Sequence, residues 1–399
     1  MRDVTVVGGG IGGLTAALLL ARAGAAVTLV ERVAEPGQVG AAILLQANGL
    51  AVLQGLGLGE RLDAHGSRMT DAVIRNGDGA TIAAFAPADA DPAATAPLVL
   101  RRSDLHRVLL DAVAAQPGIE TRFGTEVAAA SPGGTVQVRS GGGIRSVRAD
   151  LVVGADGVRS IVRASGAFRA RVRPTGATYL RGMVTGAGFG LSGEYWTGLG
   201  LFGGAPVDAT TTYFYAAATA PAVAEAVRAR DLAALRAGWG AVLPVSAPVL
   251  AAVTTFSDLL VNEVVRVDCA RWADGRLVLL GDAAHAMAPN LGQGANSALV
   301  DAAVLVAELF GAGHQPLDAA LARYGARRRR AVRGVQNRSD ALARVSSLTN
   351  PALCRARDTA FPLLARLPGA AQRMQRMAAQ EDPEALYRIA RGLGSPAGS

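Results

Sequence analysis

The sequence predicts an α/β protein: a Rossmann-type nucleotide-binding domain with an inserted β-sheet domain and a helical C-terminal segment. Three observations predict this class. The fingerprint Gly8-x-Gly10-x-x-Gly13 directly follows a short β-branched strand. Two further short apolar strands later in the chain each run into a turn that contains glycine and aspartate. Between them, residues 195–215 hold a third of the 18 aromatic residues, which is typical of strands.

The first 31 residues predict a strand–turn–helix–strand unit. Residues 4–7 and 27–30 are apolar, β-branched runs of strand length, and 14–24 is an Ala/Leu helix that a glycine ends. This is the arrangement in which a glycine fingerprint binds a dinucleotide rather than forming a bare tight turn.

Each residue of the fingerprint has its own role in that binding. Gly8 makes the tight turn, Gly10 lets the backbone approach a pyrophosphate, and Gly13 lets helix and strand pack closely. The N-terminus of the helix that follows offers unpaired N–H groups to the phosphates. Glu31 lies 18 residues past Gly13, at the end of the second strand. A carboxylate there accepts hydrogen bonds from a ribose and disfavours a 2′-phosphate.

The elements expected next are a broken helix at 48–62, a hairpin at 73–85, an amphipathic helix at 102–116 and strands over 121–153. Residues 171–264 look strand-like, 293–310 helical, and an Ala/Arg-rich helical stretch leads to a tail at 393–399. We expect four segments, with the hairpin joining the inserted sheet. They are 1–170 and 265–340 (the two parts of the nucleotide-binding domain), 171–264 (the inserted sheet) and 341–399 (the C-terminal segment and tail).

The composition excludes several reaction classes. All 40 basic residues are arginine, so the chain has no lysine. Schiff-base chemistry, a Walker-A loop and a Ser–Lys hydrolase are therefore excluded. A GC-rich genome, whose codons favour Ala, Gly and Arg, explains this bias more simply than a selected use of arginine.

Charge and scarce ligating residues limit the partners. The net charge is +8, with one dense arginine run at 327–330. A solvated helix face is the favoured explanation, and an anionic partner such as nucleic acid is the alternative. Cys269 and Cys354 are too few for a disulfide framework, and no two of the four histidines have helical metal spacing, so no metal site is expected. Without a membrane-length apolar run, we expect a cytoplasmic protein with neither membrane nor nucleic-acid partners.

Two later motifs identify a family. One is Gly154-Ala155-Asp156-Gly157; the other starts at Gly281-Asp282 and continues through Pro289 to Gly292-Gln293-Gly294-Ala295-Asn296. With the fingerprint, they resemble the ordered motifs of the group A FAD-dependent monooxygenases, aromatic hydroxylases with the para-hydroxybenzoate hydroxylase fold. The resemblance covers roughly residues 1–340. It implies that the Rossmann-type domain binds FAD and that the inserted sheet binds the substrate.

The resemblance also implies roles at the flavin. Asp282 would bind the ribityl chain, and Pro289 would approach the reacting edge of the ring. The helix that begins at 292–296 would direct its N–H groups to the pyrimidine ring and stabilise negative charge there. Asp156 would be mainly structural near the pyrophosphate, with a link to NAD(P)H use. The expected cofactor-binding residues are Gly8, Gly10, Ile11, Gly13, Glu31, Arg32, Leu44, Arg102, Val127, Asp156, Asp282, Pro289, Gly292, Gln293, Gly294, Ala295 and Asn296.

Some of these expectations come from single positions. Leu44 lies in a segment, 40–46, that resembles the loop running past the isoalloxazine, Arg102 starts a helix near the flavin, and Val127 matches a strand residue near the adenine. His285 could be a general base, but in the family its position is mostly structural. Asp282 could be a catalytic carboxylate, but cofactor binding is the expected role.

The implied reaction is a hydroxylation. NADH or NADPH binds transiently and reduces FAD, and dioxygen then forms a flavin 4a-hydroperoxide that hydroxylates an aromatic or polycyclic small molecule. The protein orients the cofactor and excludes water. Because deprotonation activates a phenol, a base or hydrogen-bond partner is expected in the pocket. The oligomeric state is expected to be a monomer or a homodimer.

The pocket is expected on the inserted sheet. Tyr213 and Tyr215 share one face of a strand, with Phe214 opposite. Tyr213 is the favoured substrate hydrogen-bonder and, with Pro289, a candidate catalytic residue; an aromatic core stripe is the alternative. Arg181, Met183 and Phe202 complete the expected pocket. The stretch 199–206 is apolar where relatives acting on small anionic aromatics often carry a basic residue, so a neutral or larger substrate is expected.

Two alternatives to this function stay open. One is an FAD-dependent oxidase or dehydrogenase on the same scaffold, and the other is a non-catalytic flavin-binding partner protein. A flavin-dependent halogenase is set aside because it needs a lysine between its flavin and substrate sites.

Overall fold

The computed structural model describes residues 2–35, 41–69, 72–85, 96–140, 143–186, 189–311, 315–365 and 380–392. The expected tail at 393–399 and residue 40 of the loop at 40–46 lie outside them. The strands are β1 Asp3–Val7, β2 Ala26–Val30, β3 Ala42–Leu45, β4 Gly66–Arg68, β5 Ala72–Asn76, β6 Thr81–Phe85, β7 Leu98–Arg101, β8 Ile119–Arg122, β9 Glu126–Ala130, β10 Thr135–Ser140, β11 Gly143–Arg148, β12 Leu151–Gly154, β13 Ala170–Thr185, β14 Gly193–Thr197, β15 Gly200–Pro206, β16 Thr211–Ala217, β17 Leu260–Cys269, β18 Ala273–Asp274 and β19 Leu277–Leu279. The helices are α1 Ile11–Arg22, α2 Ala47–Gly55, α3 Gly59–Asp63, α4 Arg102–Ala115, α5 Ile161–Ala164, α6 Pro221–Arg228, α7 Leu232–Val242, α8 Ser246–Ala251, α9 Asp282–His285, α10 Gly294–Phe310, α11 Leu317–Ser346, α12 Pro351–Ala365 and α13 Pro383–Gly392.

A six-stranded sheet lies at the centre of the first domain. Its order is β18-β19-β12-β1-β2-β8, and only β18 and β19 run antiparallel to each other. β12 is buried along its whole length, as interior strands of parallel sheets are. The carboxyl ends of β1, β12 and β19 lie at the same edge of the sheet, which is where α/β sheets bind ligands. The mixed α/β class is confirmed.

A seven-stranded sheet follows, in the order β17-β13-β16-β15-β14-β5-β6. Its neighbours are antiparallel except for β14 and β5. One face is buried against α6, α7 and α8 through Leu180, Phe214 and Trp239, among others. We call this the outer face and the opposite one the inner face.

The prediction that 171–264 is strand-like was wrong for 221–251, which forms the helices α6 to α8. The local signals for helix were present. Pro221 occupies the first turn of α6, and the Asp231 side chain accepts the Ala234 N–H and caps α7. These helices are Ala-rich and supply the apolar cover that the outer face requires.

The C-terminal helices close over part of the inner face. On α12, Phe361 makes an edge-on contact with Trp196 of β14, with ring centroids 5.0 Å apart. The guanidinium of Arg357 lies over the same indole and donates to the Trp196 carbonyl at 3.2 Å. Helix α13 packs on α2, where a Cβ at Gly55 would lie 2.6 Å from that of Ala390. None of the described helices combines the length and the apolarity that a bilayer crossing requires.

A buried ion pair joins α10 to α11. Arg328 and Asp301 are both inaccessible to solvent, and the Arg328 Nε donates to Asp301 at 2.7 Å. His285 and the N–H of Gly281 contact the other carboxylate oxygen, at 2.5 and 2.9 Å. Burial alone would raise the pKa of Asp301, but His285 and Arg328 outweigh it and hold the pKa at about 2. The expected solvated arginine face at 327–330 is therefore wrong for Arg328.

Replacing Arg328 with methionine is expected to lower the free energy of unfolding by about 3–5 kcal/mol, because the Asp301 charge stays buried without its guanidinium partner. Denaturant unfolding monitored by circular dichroism measures the change. Because the pKa of Asp301 is depressed, its contribution is present above about pH 4 and is lost as the pH falls below that. The exposed neighbour Arg330, changed to methionine, is the control, and equal losses in the two variants would contradict the assignment.

Candidate cofactor and substrate site

The turn after β1 has glycines for two different reasons. A Cβ at Gly13 would lie 1.9 Å from the carbonyl oxygen of Gly8, and one at Gly8, whose φ is +106°, would lie 2.5 Å from the Ala155 oxygen. These glycines are required by packing. Gly10 has a φ of −76° and its Cβ would meet no atom within 4 Å. Nothing in the protein requires glycine there, so the open space fits a ligand that approaches the backbone.

Glu31 holds this turn from the end of β2. Its carboxylate accepts the N–H of Gly9 at 2.6 Å and that of Val33 at 2.9 Å. Arg32 is exposed beside it. The carbonyl of Glu31 accepts the N–H of Thr125, which brings the start of β9 next to β2. Val127, the residue expected near an adenine, is buried on that strand.

His106 is a contact of the turn that sequence reasoning missed. Its Nε2 lies 2.7 Å from the carbonyl oxygen of Gly9, and Ile11 at the start of α1 is buried close by in the chain. The amphipathic pattern of α4 predicts which of its residues are buried, but it carries no signal for a partner 97 positions away.

Asp156 organises the second motif rather than facing open space. Its carboxylate accepts the Ser160 hydroxyl at 2.5 Å and the N–H groups of Ile161 and Val162 at 2.7 and 3.1 Å. Burial raises the pKa of Asp156, and these hydrogen bonds act in the opposite direction. Arg163 then ties this motif to the third one, because it donates to the carbonyl oxygen of Ala283 at 2.9 Å.

Asn296 fixes the start of α10 to the segment before α2. Its amide donates to the carbonyls of Leu44 and Gly292 at 2.9 and 2.8 Å, and its oxygen accepts the N–H of Gln46 at 3.0 Å. All three polar contacts of the Asn296 side chain are to other groups of the protein, so this side chain stabilises the fold and does not face a ligand. Gly292 has a φ of +62°, which glycine adopts readily.

Gln293 is committed in the same way. Its side-chain nitrogen donates to Gln46, and its oxygen accepts the amides of Asn48 and Gln380 at 3.1 and 2.9 Å. The groups left for a ligand at this helix start are therefore backbone N–H groups, which the first turn of a helix does not pair internally. A Cβ at Gly294 would meet no atom within 4 Å, so this part of the helix start faces open space; Ala295 follows it in the first turn.

Three charged residues link the two domains. Asp282 is exposed at the start of α9, and its carboxylate accepts no hydrogen bond from the described residues. Although Arg102 is exposed, partial desolvation lowers its pKa, the charge of Asp282 opposes that lowering and the charge of Arg181 adds to it. The charges of one residue in the motif after β19 and of one residue on strand β13 therefore both act on Arg102. Arg102 and Arg181 are cations and Asp282 is an anion, so a ligand bound here would meet groups of both signs.

The register of the seven-stranded sheet defines its inner face. Arg181 pairs with Tyr215 and Met183 with Tyr213, so the four side chains share that face. All four are half-buried, whereas the outer-face neighbours Leu180, Val184 and Phe214 are buried. The structure therefore brings together four of the five expected pocket residues on a face that is still partly open.

Phe202 is the expected pocket residue that the structure does not bring to this face. It pairs with Ala216, next to Phe214, and its ring stacks on Phe214 with centroids 5.9 Å apart. Phe202 thus belongs to the outer-face core. On the inner face of the same strand, Gly203 leaves room for the Tyr215 ring, since a Cβ there would lie 2.6 Å from it.

Tyr213 has the properties expected of a ligand-binding tyrosine. Its hydroxyl makes no hydrogen bond with any described residue. Its ring packs against the cluster of Val99, Ala205 and Val207, as does Leu44 of β3. Burial raises the pKa of Tyr213, and the nearby charge of Arg181 opposes the rise. The hydroxyl is therefore a neutral donor or acceptor available to a molecule on the inner face.

Two other candidates have different surroundings. Pro289 begins a short 3-10 helix and is half-buried; the next residue, Asn290, accepts the Tyr179 hydroxyl at 2.9 Å. Burial raises the pKa of Tyr179 to about 12. His285 is buried and stacks on Trp272 at 5.0 Å, so the structure places it in the core and away from open space.

Glu194 is a functional candidate that the sequence analysis missed. It lies on β14 opposite Gly203, so it shares the inner face with Tyr215, whose hydroxyl donates to it at 3.1 Å. Because side chains alternate along a strand, the sequence predicts that Glu194 and Trp196 share one face. It does not reveal which face of the sheet that is.

Comparison with known proteins identifies similar chains. Residues 1–339 match the family model described as FAD binding domain. The chain is 34% identical over 330 residues to the aurachin C monooxygenase/isomerase of Stigmatella aurantiaca, covering 81% of this chain and 84% of that protein. It is also 34% identical over 382 residues to the 3-amino-4-hydroxybenzoate 2-monooxygenase PtnB3 of Streptomyces platensis, with 91% and 93% covered.

Solved structures have the same architecture. Klebsiella pneumoniae HpxO, crystallised as a variant with FAD, superposes with a TM-score of 0.78 at 25% identity, covering 95% of this chain and 99% of that chain. For 2-methyl-3-hydroxypyridine-5-carboxylic acid oxygenase in its tetrameric form, the TM-score is 0.75 at 27% identity, with 91% and 97% covered.

The two kinds of glycine predict different defects. Gly10→Ala is expected to fold normally and to bind FAD at least about tenfold more weakly, a loss of roughly 1.4 kcal/mol, since the methyl group enters the space left for the ligand. Gly13→Ala is the matched control and is expected to lose folding stability, because its methyl group meets the Gly8 carbonyl. Flavin fluorescence titration and thermal unfolding measure the two effects. An unchanged FAD affinity in Gly10→Ala would contradict this assignment.

Proposed function

Since this chain belongs to the FAD binding domain family, we propose that it is an FAD-dependent monooxygenase that uses NADH or NADPH and hydroxylates an aromatic or polycyclic small molecule. The mixed α/β fold, the match over residues 1–339 and the relatives named as monooxygenases support this function.

The observation that carries the proposal is the position of Arg102. Its neighbour Arg101 donates to Thr211 of β16 at 2.8 Å, and β7 pairs with β3, whose Leu44 carbonyl accepts the Asn296 amide at the start of α10. In line with this position, the charges of Asp282, in the motif after β19, and of Arg181, on the inner face of the second sheet, both act on Arg102. A cofactor held by the first group and a substrate held by the second would therefore be neighbours. Direct transfer of an oxygen atom between two bound molecules requires this proximity.

The residues present fit FAD. The open position at Gly10, the start of α1 and Glu31 would hold the dinucleotide part. Arg102, Asp282 and the first N–H groups of α10 would hold the flavin part, where the helix start favours negative charge. When bound and reduced, FAD supplies the activation of dioxygen. The protein's own contribution is to bind, to orient and to exclude water.

We infer that the substrate lies on the inner face, between the flavin part and Tyr213. The Tyr213 hydroxyl would hydrogen-bond a polar group of the ring, and Met183 and Leu44 would contact its apolar edge. The stretch 199–206 offers no charge to this face, which supports a neutral or larger aromatic molecule. One relative is named for an aminohydroxybenzoate, which carries a carboxylate. The neutral or larger substrate proposed here therefore differs from the substrate in that relative's name.

The finer points stay predictions of the sequence. They include the four-segment division, the choice between NADH and NADPH, a monomer or homodimer, and a cytoplasmic location. One relative's structure is of a tetrameric form, which leaves the oligomeric state open.

The function is tested with the purified full-length protein loaded with FAD. NADH and NADPH are each added with a panel of phenols, quinolones and polycyclic phenols, and isotope-labelled dioxygen is used. The expected result is NAD(P)H oxidation that a panel member accelerates, with one labelled oxygen atom in its product by mass spectrometry. Flavin reduction without label in any product would favour an oxidase or dehydrogenase. No flavin reduction under any condition would favour a non-catalytic flavin-binding protein.

Tyr213→Phe is expected to lower kcat/KM for the accepted substrate about 10- to 100-fold, in line with the loss of roughly 1.5–3 kcal/mol of hydrogen bonding. FAD affinity is expected to stay unchanged. Tyr195→Phe is the matched control, because that tyrosine lies on the outer side of β14 beside Arg75. Equal kcat/KM values for the two variants would remove Tyr213 from the substrate site.

A further inference from the structure

Glu194 is a half-buried carboxylate on the inner face, and no role in holding the cofactor has been assigned to it. Its two oxygens are contacted separately: the Trp196 indole N–H donates to one, and the Tyr215 hydroxyl donates to the other at 3.1 Å. An indole nitrogen can only donate. The carboxylate is therefore arranged as an acceptor at both oxygens, the arrangement that suits its ionised form.

No ion pair neutralises this carboxylate within the part of the chain that the structure describes. The charged and titratable groups around it come from three elements. On the same face of the sheet, β13 contributes Tyr179 and Arg181, and β16 contributes Tyr213 and Tyr215. From α12, Arg357 lies over the Trp196 ring and is itself paired with Asp358. The neighbouring residues of β15 and β5 in register with it are Gly203 and Ile74, which do not titrate.

A carboxylate that is partly removed from water and has no direct ion-pair partner holds a proton more tightly than one in water. In line with this, burial raises the pKa of Glu194, and the two donors only partly oppose it. The same surroundings raise the pKa of Tyr215, so Tyr215 stays a neutral hydroxyl that can both donate and accept.

We propose that Glu194 is the final acceptor of the proton that an aromatic substrate loses from its hydroxyl group, and that it acts through Tyr215. This inference rests on the proposed function, because it requires the substrate to lie on the inner face. Glu194 is in this scheme a positioning residue for the proton, and Tyr215 is the group that touches the substrate.

The transfer balances in atoms and charge. The substrate O–H bond breaks and its proton forms a new O–H bond with the Tyr215 oxygen, while the original Tyr215 proton passes to Glu194. The products are a phenolate, an unchanged tyrosine and a neutral glutamic acid. The negative charge moves from Glu194 to the substrate, and no proton leaves the protein. A phenolate is more electron-rich than a phenol, which favours attack by an electrophilic oxygen.

The arrangement also selects a substrate class. A neutral aromatic molecule with an acidic hydroxyl can give its proton to this pair. A substrate whose carboxylate lies against Tyr215 would instead meet the unpaired charge of Glu194, which is unfavourable in a poorly hydrated site. The inference therefore narrows the proposed substrate to a neutral phenol or hydroxylated heteroaromatic molecule.

The test uses the FAD-loaded full chain and para-nitrophenol, whose absorption differs between phenol and phenolate, at a pH below the pKa of the free ligand. Difference absorption gives the ionisation state of the bound ligand, and calorimetry in buffers of different ionisation enthalpy gives the protons released per ligand. For the native protein we expect a bound phenolate with no proton released. For Glu194→Gln we expect either a bound neutral phenol or a phenolate with one proton released.

Tyr215→Phe interrupts the path without removing the carboxylate, and a bound neutral phenol is expected. Glu225→Gln and Tyr195→Phe are the matched controls, and both are expected to behave like the native protein, since Glu225 pairs with Arg228 on the exposed side of α6. A neutral phenol in the native protein, no binding of para-nitrophenol, or a bound phenolate with no proton released in Glu194→Gln would each overturn the proposal. Flavin absorbance in the same samples shows whether FAD is bound. A failure with FAD in place and NAD(P)H oxidation intact contradicts only the proton transfer and leaves the proposed function standing.

Discussion

The rest of the structure depends on the close contact between the first turn of α1 and the end of β1. The Gly8 carbonyl takes up the space of a Gly13 side chain, and the Ala155 carbonyl takes up that of Gly8. A Cβ at Gly12 would also lie 3.0 Å from both Leu280 and Ala298. The turns after β1 and β12 are thus packed backbone against backbone at one edge of the central sheet, and the side chains of Leu280 and Ala298 pack on the first turn of α1. That contact fixes where the helix starts point, and so where a dinucleotide can lie.

Buried polar groups hold the remaining parts to this edge. Asp301 binds the Gly281 N–H and Arg328, so the turn before Asp282 is attached to the long helix α11. At the start of α10, Gln293 holds the segment before α2 and Gln380, which precedes α13. Side chains that resemble cofactor ligands in the sequence are used here as internal cross-links, and they leave the backbone N–H groups to the ligand. The partial positive charge at the start of α10 can therefore act on a ligand without any side chain having to move.

The sequence allowed most of the central domain to be predicted, because its signals are local. The fingerprint, the strand at 151–154 and the turn at Gly281 each depend on neighbouring residues, and Tyr213 and Tyr215 share a face because strands alternate. Phe202 was misplaced because a single strand does not reveal which neighbour it pairs with. Glu194 and Arg328 could not be found for a related reason. Their partners lie 21 and 27 positions away, and hydrophobic periodicity carries no information about such contacts.

The surroundings of Trp196 have an optical consequence. Its indole N–H contacts Glu194, its ring lies under Arg357, and its edge meets Phe361. The emission of an indole responds to charges near its ring, so a change of charge on Glu194 would shift the fluorescence of this residue. The other two tryptophans belong to separate cores, Trp239 behind the outer face and Trp272 against His285. The protein thus carries an intrinsic chromophore at its inner face, together with two tryptophans in other cores that serve as an internal reference.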